Sequence, residues 1–224
     1  VYGSNGPAVS VNGNAIVLRN NTLVGSGTQF RPTGFGGSAL ENNIIVADGV
    51  NNYCLLLEGG TLNSDYNNLV SRNGAWIGTW EGSWEKLLYW QRSSGRDMHS
   101  ISADPRFADE AAHVYHLKSV VGRWTASGWV TDTVHSACID AGNPGTVLVN
   151  EPMPNGGRVN LGAYGNTVQA SKSQTNAWLM ACTMNDGGVL KGTNVIEWRY
   201  GNLGTTDLVR IDYSPDNGAS WTNI

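Results

Sequence analysis

Charged side chains are scarce in this sequence. Lysine and arginine contribute 14 residues and aspartate and glutamate 18, so only 14% of the 224 residues are charged and the net charge is −4. No basic patch is visible, and a protein that binds nucleic acid through its phosphates needs one. The sequence also contains no run of 18 or more apolar residues, the length that a membrane-spanning helix requires. We therefore expect that this protein does not bind nucleic acid and has no membrane-spanning helix.

Cysteine is scarce as well, and its three residues lie far apart at Cys54, Cys138 and Cys182. No C-x-x-C pair occurs, and zinc needs more ligands than this spacing offers. Cys54 begins an apolar run, in which a buried thiol behaves as a small hydrophobic group. At most one disulfide can form. We expect none, and we expect no metal site and no cofactor within this chain.

Glycine, with 29 residues, and asparagine are abundant, and asparagine takes part in an internal repeat. The three copies are residues 18–24 (LRNNTLV), 40–46 (LENNIIV) and 64–70 (SDYNNLV), at offsets of 22 and 24 residues. A period of this length indicates one supersecondary unit per copy, stacked on its neighbours. β-branched residues and leucine alternate with period two and show no 3.6-residue periodicity, so strands are favoured over helices.

Two columns of the repeat predict how these strands stack. The asparagine column is Asn21, Asn43 and Asn67, and the apolar column beside it is Leu23, Ile45 and Leu69. Parallel in-register strands lie about 4.8 Å apart, so identical asparagines at an inward bend would hydrogen-bond along the stack as a ladder. Chance pairs in an asparagine-rich chain are the alternative interpretation. The ladder is favoured because neighbouring columns repeat too.

The pattern resembles the coils of a right-handed parallel β-helix of the pectate-lyase-like kind. Residues 63–69 are similar to the last-coil motif usual in that family. Four motifs typical of its C-terminal end follow in the usual order: 104–107 (DPRF), 116–118 (HLK), 138–142 (CIDAG) and 162–165 (GAYG). The resemblance covers residues 8–168 and implies an all-β fold. It implies no single activity, since this scaffold carries lyases, hydrolases, epimerases, adhesins and inert surface proteins.

Three regions are expected along the chain: β-helix coils and a C-terminal cap at 1–168, a polar linker at 169–176, and a partial immunoglobulin-like β-sandwich at 177–224. The last region resembles modules that follow bacterial β-helices, and its segment 214–221 (SPDNGASW) matches an Asp-box hairpin turn. A sandwich needs about seven strands, more than this region supplies. Because the chain begins in repeat-like sequence and ends in a strand pattern, we expect it to be a fragment of a longer protein.

A tryptophan-rich excursion at 71–103 interrupts the coils. Its indoles are Trp76, Trp80, Trp84 and Trp90, and residues 85–90 are long enough for one or two helical turns with Ser83 as a weak cap. Exposed indoles at this density would form a platform for sugar rings. Alternatively they form a flap that closes the end of the helix. We favour the flap, with at least two indoles buried and one partly exposed.

The candidate catalytic residues are few. Asp97, His99 and Asp104 are the closest that the sequence comes to a cluster of ionisable residues, and such a cluster would suit acid–base chemistry or a metal site. In the alternative interpretation Asp97 is a cap and Asp104 begins a turn. A second candidate is the outward column that carries Arg19, Glu41 and Asp65. We interpret that column as an exposed charge ladder rather than a catalytic carboxylate pair.

These features predict a non-catalytic extracellular or cell-surface module, a spacer or adhesin-like element that makes weak glycan contacts and can self-associate. Its partner would be a polysaccharide or cell-surface glycan, and the resemblance implies a bacterial source. The alternative is the C-terminal part of a polysaccharide lyase, hydrolase or epimerase whose active site lies upstream, with Ca²⁺ as a cofactor if the parent is a lyase. A sialidase is excluded, because one Asp box is too few for a propeller.

Overall fold

A computed structural model describes residues 6–13, 15–34, 36–183, 185–216 and 218–224. Residues 1–5 of the expected first coil, Asn14 of its turn and Asn217 of the Asp-box segment lie outside the described residues. The described chain is all-β with one short helix. None of its helices is long and apolar enough to cross a bilayer.

Three parallel sheets form the first part of the protein. The first sheet contains β1 (Val9–Asn12), β4 (Phe30–Thr33), β7 (Tyr53–Leu55) and β10 (Trp76–Thr79). The second contains β2 (Val17–Arg19), β5 (Gly37–Glu41) and β8 (Thr61–Asp65), and the third β3 (Thr22–Gly25), β6 (Ile44–Asp48) and β9 (Asn68–Arg72). Each pass of the chain therefore adds one strand to each sheet. This confirms the all-β class and the parallel stacking.

The register follows the sequence repeat. In the third sheet Leu23 lies beside Ile45, and Ile45 beside Leu69, at the offsets of the three copies. All three side chains are at most 2% exposed. Burying one Leu or Ile side chain stabilises a fold by about 1.5–3 kcal/mol, so a column of three strongly favours this register over a slipped one.

The third sheet is buried on both faces, which corrects the expected strict alternation. Ile44, Ile45, Val46 and Ala47 are all 0–1% exposed. Ile45 faces the interior between the three sheets, whereas Ile44 and Val46 pack in a second apolar cluster with residues of the later chain. Strands covered on both faces need a continuous apolar run rather than an alternating one.

The excursion after β10 contains β11 (Ser83–Trp84), antiparallel to β10, and the helix α1 (Leu87–Ser94). The predicted cap at Ser83 is wrong: the helix begins later, and its N-cap residue Lys86 makes no side-chain capping bond. Instead the Leu87 amide donates to Oδ2 of Asp186 at 2.7 Å. A carboxylate at this position satisfies a free N–H and suits the positive end of the helix dipole.

The chain from 98 to 168 covers the third sheet. It contains two hairpins, β12 (Phe107–Asp109) with β13 (Val114–Leu117) and β14 (Arg123–Thr125) with β15 (Gly128–Val130). The 162–165 motif contacts the sheet closely, since a Cβ on Gly162 would lie 2.8 Å from Thr22 Oγ1. Gly162 also has a φ of +87°, which only glycine adopts readily.

The segment expected as a polar linker, 169–176, packs against this cover over part of its length. Ala170, Ser171 and Ser173 are at most 4% exposed, and the Lys172 amide donates to Gly122 O at 2.8 Å. Short polar side chains of this segment make buried hydrogen bonds; Ser171 Oγ, for example, donates to Leu117 O at 2.6 Å.

The described part of the C-terminal region contains two separate antiparallel pairs. They are β16 (Trp178–Ala181) with β17 (Trp198–Gly201), and β18 (Asp212–Tyr213) with β19 (Thr222–Asn223). The apolar segment 195–198 (VIEW) enters β17 only at Trp198, and segment 209–213 (VRIDY) enters β18 only at its last two residues. The side chain of Arg199 ties β17 to the body, donating to Asp140 O and Ala137 O at 2.7 Å each.

Candidate functional site

The asparagine column forms a continuous line of hydrogen bonds. Asn21 Nδ2 donates to Asn43 Oδ1 at 3.3 Å, and Asn43 Nδ2 donates to Asn67 Oδ1 at 2.9 Å. The main-chain amides of Asn21 and Asn43 donate to the same side-chain oxygens, each at 2.9 Å. Asn43 and Asn67 are 0% exposed and Asn21 is half-buried.

Ser100 continues this column, which the sequence did not reveal. The parallel bridge between Asn68 and Ile101 places Ser100 beside Asn67, and the Asn67 amide donates to Ser100 Oγ at 2.8 Å. The offset here is 33 residues, because the excursion is inserted in this pass. A search for asparagine at the established period misses a serine displaced by an inserted helix.

Asp97 ends the line as a buried acceptor. Its Oδ1 accepts hydrogen bonds from Ser64 Oγ at 2.8 Å, Ser100 Oγ at 2.7 Å and Asn67 Nδ2 at 3.2 Å. Its Oδ2 accepts from Trp90 Nε1 at 2.8 Å. The side chain is 1% exposed. Burial raises the pKa of this carboxyl group, while the four donated hydrogen bonds act in the opposite direction.

His99 lies on the surface next to this buried cluster. Its Nδ1 is 2.6 Å from Asp65 Oδ2, and its amide donates to Asp65 Oδ1 at 2.8 Å. The imidazole stacks on the Tyr66 ring with the centroids 4.8 Å apart and an interplanar angle of 5°. A carboxylate that orients a half-exposed imidazole is an arrangement able to move a proton.

Asp104 stands apart from both residues. It is exposed, its Oδ1 accepts the Arg106 amide at 3.0 Å, and its Oδ2 is 3.2 Å from Arg106 Nε. This is an Asx-type turn that stabilises the left-handed Arg106, whose φ is +55°. The three residues grouped by sequence therefore have separate environments.

The column of Arg19, Glu41 and Asp65 runs along the second sheet in register. Arg19 Nε is 3.4 Å from Glu41 Oε2, and the arginine side chain is 63% exposed. Glu41 Oε1 accepts a hydrogen bond from Thr146 Oγ1 at 3.1 Å, and Asp65 bonds to His99. Each carboxylate thus has its own partner. The exposed ion pair contributes little to stability.

The four indoles of the excursion differ in exposure. Trp90 is 0% exposed, whereas Trp76, Trp80 and Trp84 are half-buried, so the expectation of at least two buried indoles is wrong. Trp90 lies under Gly78, where an added Cβ would be 2.8 Å from the indole ring. Trp84 Nε1 donates to Trp80 O at 2.9 Å. Trp80 and Trp84 pack against the core, whereas Trp76 stacks on Tyr53 with the ring centroids 6.5 Å apart.

Two adjoining cavities form a cleft between the cover and β17, which sequence reasoning missed. One has a volume of about 390 Å³ and is bordered by Tyr66, His99 and Trp198, among others. The other has a volume of about 360 Å³. Arg158 and Arg199 border both cavities. These volumes are in the range of small-molecule sites.

Arg158 lies at the centre of this cleft. Its guanidinium donates to Gly142 O, with an Nε–O distance of 2.8 Å, and lies 6.0 Å from the centroid of the Tyr66 ring. Burial lowers the pKa of Arg158, and the positive charge of Arg199 acts in the same direction. Burial and the charge of Asp65 raise the pKa of Tyr66.

The three cysteines are buried and none is bonded to another. Burial raises the pKa values of Cys54 and Cys138 to about 12, so both remain thiols at neutral pH. Within the described ranges, no group of three or more His, Cys, Asp or Glu side chains is arranged to hold a metal ion.

The chain is similar over residues 89–142 to a protein family described as "Disaggregatase related". The matched segment begins within α1, includes Asp97, Ser100 and the first two hairpins of the cover, and ends at Gly142. It is less than half of the chain. No match was found among curated proteins or among solved structures.

Proposed function

We propose that this chain is a non-catalytic, extracellular or cell-surface module that contacts glycans. Its three parallel sheets would be final coils of a right-handed parallel β-helix of the pectate-lyase-like kind, with residues 98–168 as the cap and residues 177–224 as the start of an immunoglobulin-like module. The stacked parallel sheets and the ordered C-terminal motifs support this proposal.

The observation that carries the proposal is the role of Asp97. This carboxylate was the best placed catalytic candidate, yet all its contacts are donors of the protein itself and it is 1% exposed. A catalytic acid or base must reach the proton that it transfers. Asp97 instead joins the third and fourth passes of the chain, as expected of a structural group.

The similarity to the disaggregatase-related family supports a module that belongs to a larger protein concerned, as the family name says, with disaggregation. In that protein the module would hold a surface ligand while another part acts. The cleft beside Arg158 supplies the contact surface, rather than the half-buried indoles of the excursion.

A second candidate function is the C-terminal part of a polysaccharide lyase, hydrolase or epimerase. The pair of Asp65 and His99 beside Tyr66 favours it, because an oriented imidazole and a phenol could transfer protons to a sugar in the cleft. Glu197 borders the same cavity as a second carboxylate, but among the described residues no group of His, Cys, Asp or Glu side chains is arranged to hold Ca²⁺.

Incubation of the chain with pectate and with alginate, with and without Ca²⁺, separates these candidates. We expect no unsaturated products in the ultraviolet and no new reducing ends. Product formation that is lost in His99→Ala but retained in His113→Ala, an exposed histidine elsewhere, would replace the first proposal by the second.

A further inference from the structure

The hairpin β16–β17 rests on the body of the protein, residues 6–173, above three cavities. Two of them form the cleft, with volumes of about 390 and 360 Å³, and a third of about 120 Å³ lies between β16 and the segment that contains His135 and Ile139. Each cavity is bordered by the hairpin on one side and by the body on the other. Protein interiors are normally close-packed, and the walls of a void lose the contacts that would hold them together. The hairpin is therefore weakly attached over much of its inner face.

Two kinds of contact attach the hairpin directly to the body. Met180 packs against the second apolar cluster, which also includes Cys182, the residue directly after β16. Arg199 donates two hydrogen bonds to main-chain carbonyl groups of the cover, but its Nε is buried without a partner among the described residues. A buried donor without an acceptor lowers the net stability of such a contact. On the outer face of the hairpin, Leu179 and Tyr200 are 48% and 62% exposed and add little to the attachment.

A strap formed by residues 185–195 lies in the connection between β16 and β17 and crosses to the helix α1 of the excursion. Asp186 Oδ2 accepts the Leu87 amide, the first of the helix, at 2.7 Å. The strap also lies directly on the helix, since a Cβ added to Gly188 would be 3.1 Å from Leu88 Cδ2. A carboxylate of the C-terminal region thus satisfies the positive end of a helix that belongs to the body.

The rest of the strap is held by exposed hydrogen bonds. The Val189 amide donates to Tyr89 Oη at 3.0 Å. Arg92 Nη1 donates to Val189 O at 3.3 Å, and Arg92 Nη2 donates to Asn194 Oδ1. The apolar side chains of the strap lie in solvent instead of against the helix; they are Val189, Leu190 and Val195, at 61%, 40% and 72% exposed. Exposed hydrogen bonds compete with water, and a segment with little apolar burial opens at low cost. The strap can therefore detach from α1 without disturbing the core.

We propose that the hairpin β16–β17 is a lid on the cleft and that the strap is its latch, so that release of the strap from α1 lets the lid swing away from the body. The chain before β16 supplies the pivot, because Asn202 Nδ2, directly after β17, donates to Gln174 O and Asn176 O and joins both ends of the hairpin there. A few residues at the end of an element commonly serve as the hinge of such a lid. The latch gives the excursion helix a role that neither a sugar platform nor a terminal flap requires, and it does not depend on what the cleft binds.

Cys182 reports the position of the lid. It borders the first cavity on the side of the lid and is 7% exposed. Cys54 and Cys138 are 0% exposed within the body, and burial raises their pKa values to about 12. Because the thiolate is the form that reacts, neither of them should react with a thiol reagent until the body unfolds. Labelling of Cys182 alone therefore measures opening of the lid rather than unfolding of the protein.

The test is the rate at which N-ethylmaleimide labels each cysteine of the intact chain near neutral pH, with the labelled peptides identified by mass spectrometry. In the wild-type protein we expect slow labelling, at Cys182 alone. Asp186→Ala and Arg92→Ala each remove contacts of the latch and should accelerate this labelling at least about tenfold, the usual worth of a hydrogen bond to a charged group. The matched controls Asp207→Ala and Arg210→Ala remove exposed charges whose partners lie within the C-terminal region, and they should leave the rate unchanged.

The melting temperature of each variant shows whether it folds. If a latch variant does not fold, Tyr89→Phe is the substitute, because it removes only the hydroxyl group that accepts the Val189 amide and should accelerate labelling about threefold. Equal rates in the wild-type protein and the latch variants, or the same acceleration in the controls, would overturn the proposal. Labelling of Cys182 only together with Cys54 and Cys138 would also overturn it, since the lid would then open only on unfolding. Labelling of wild-type Cys182 as fast as a free thiol would show that the lid is not closed, with the same consequence.

Discussion

Asp97→Asn replaces one carboxylate oxygen by an amide nitrogen at a site where four side-chain groups donate hydrogen bonds to the carboxylate. Oδ1 accepts hydrogen bonds from Ser64, Ser100 and Asn67, and Oδ2 accepts one from the Trp90 indole. The new NH₂ group must therefore face a donor in either orientation. The less harmful orientation places it against Trp90 Nε1, which is 2.8 Å from Oδ2 in the wild-type protein.

The expected loss of stability follows from these four contacts. A buried N–H left without an acceptor costs roughly 1–3 kcal/mol. The three bonds at Oδ1 lose the assistance of a negative charge, at about 0.5–1 kcal/mol each. Because burial raises the pKa of Asp97, removal of the charge also offsets part of this loss. We expect Asp97→Asn to lower the free energy of unfolding by about 2–4 kcal/mol.

Urea denaturation followed by tryptophan fluorescence and circular dichroism measures this change. Asp104→Asn is the matched control: Asp104 is exposed, and asparagine retains its bond to the Arg106 amide, so a change below about 0.5 kcal/mol is expected. Equal stability of Asp97→Asn and the wild-type protein would refute the assignment of Asp97 as a structural acceptor.

Three further predictions concern the core and the cover. Asn43→Leu should lower the free energy of unfolding, measured by urea denaturation, by about 1–3 kcal/mol, because neighbouring buried groups lose their hydrogen-bond partners. The control Asn63→Leu changes an exposed asparagine and should have little effect. Similar losses in both variants would contradict the ladder. In the same assay, Trp90→Ala should destabilise the protein by about 3–5 kcal/mol, and Trp84→Ala, which removes a half-buried indole, by clearly less. The reverse order would contradict the assignment of Trp90 as the buried indole. Burial raises the pKa of Glu151 from 4.5 to about 7, so the stabilisation by this carboxyl group is complete below pH 4.5 and is lost as the pH rises through 7. The free energy of unfolding of the wild-type protein should therefore fall by about 3 kcal/mol between about pH 4 and pH 8, relative to that of Glu151→Gln. Parallel pH profiles of the two proteins would contradict this.

The repeated columns could be predicted from sequence because their chemistry is local and periodic. Leu23, Ile45 and Leu69 recur at nearly constant spacing, and only a parallel register buries all three together. The asparagines between the strands obey the same spacing, so their hydrogen bonds to one another could be anticipated. Ser100 could not, because the inserted helix changes the spacing and serine replaces the amide with a hydroxyl.

The candidate site was less predictable because its groups are distant in sequence. The motif around Asp97 and His99 indicated polar chemistry, but burial separated the two: Asp97 faces the core and His99 the solvent. Arg158 and Arg199 carry no local signal, since each is an isolated arginine in a loop or a strand. Their shared cleft depends on carbonyl groups of the 137–142 segment, and no side-chain pattern records the position of a carbonyl oxygen.

The sequence by itself determined the strands of the repeat, their parallel stacking and the position of the excursion, because hydrophobic periodicity and repeat length can be read from residues close together in the chain. Only the tertiary structure decided which polar groups are buried acceptors and which face a cleft. Asp186, for example, satisfies the first amide of α1 across 99 residues of chain. Such contacts depend on how the cover packs on the sheets, and a hydrogen bond requires only that donor and acceptor meet in space, whatever their separation in sequence.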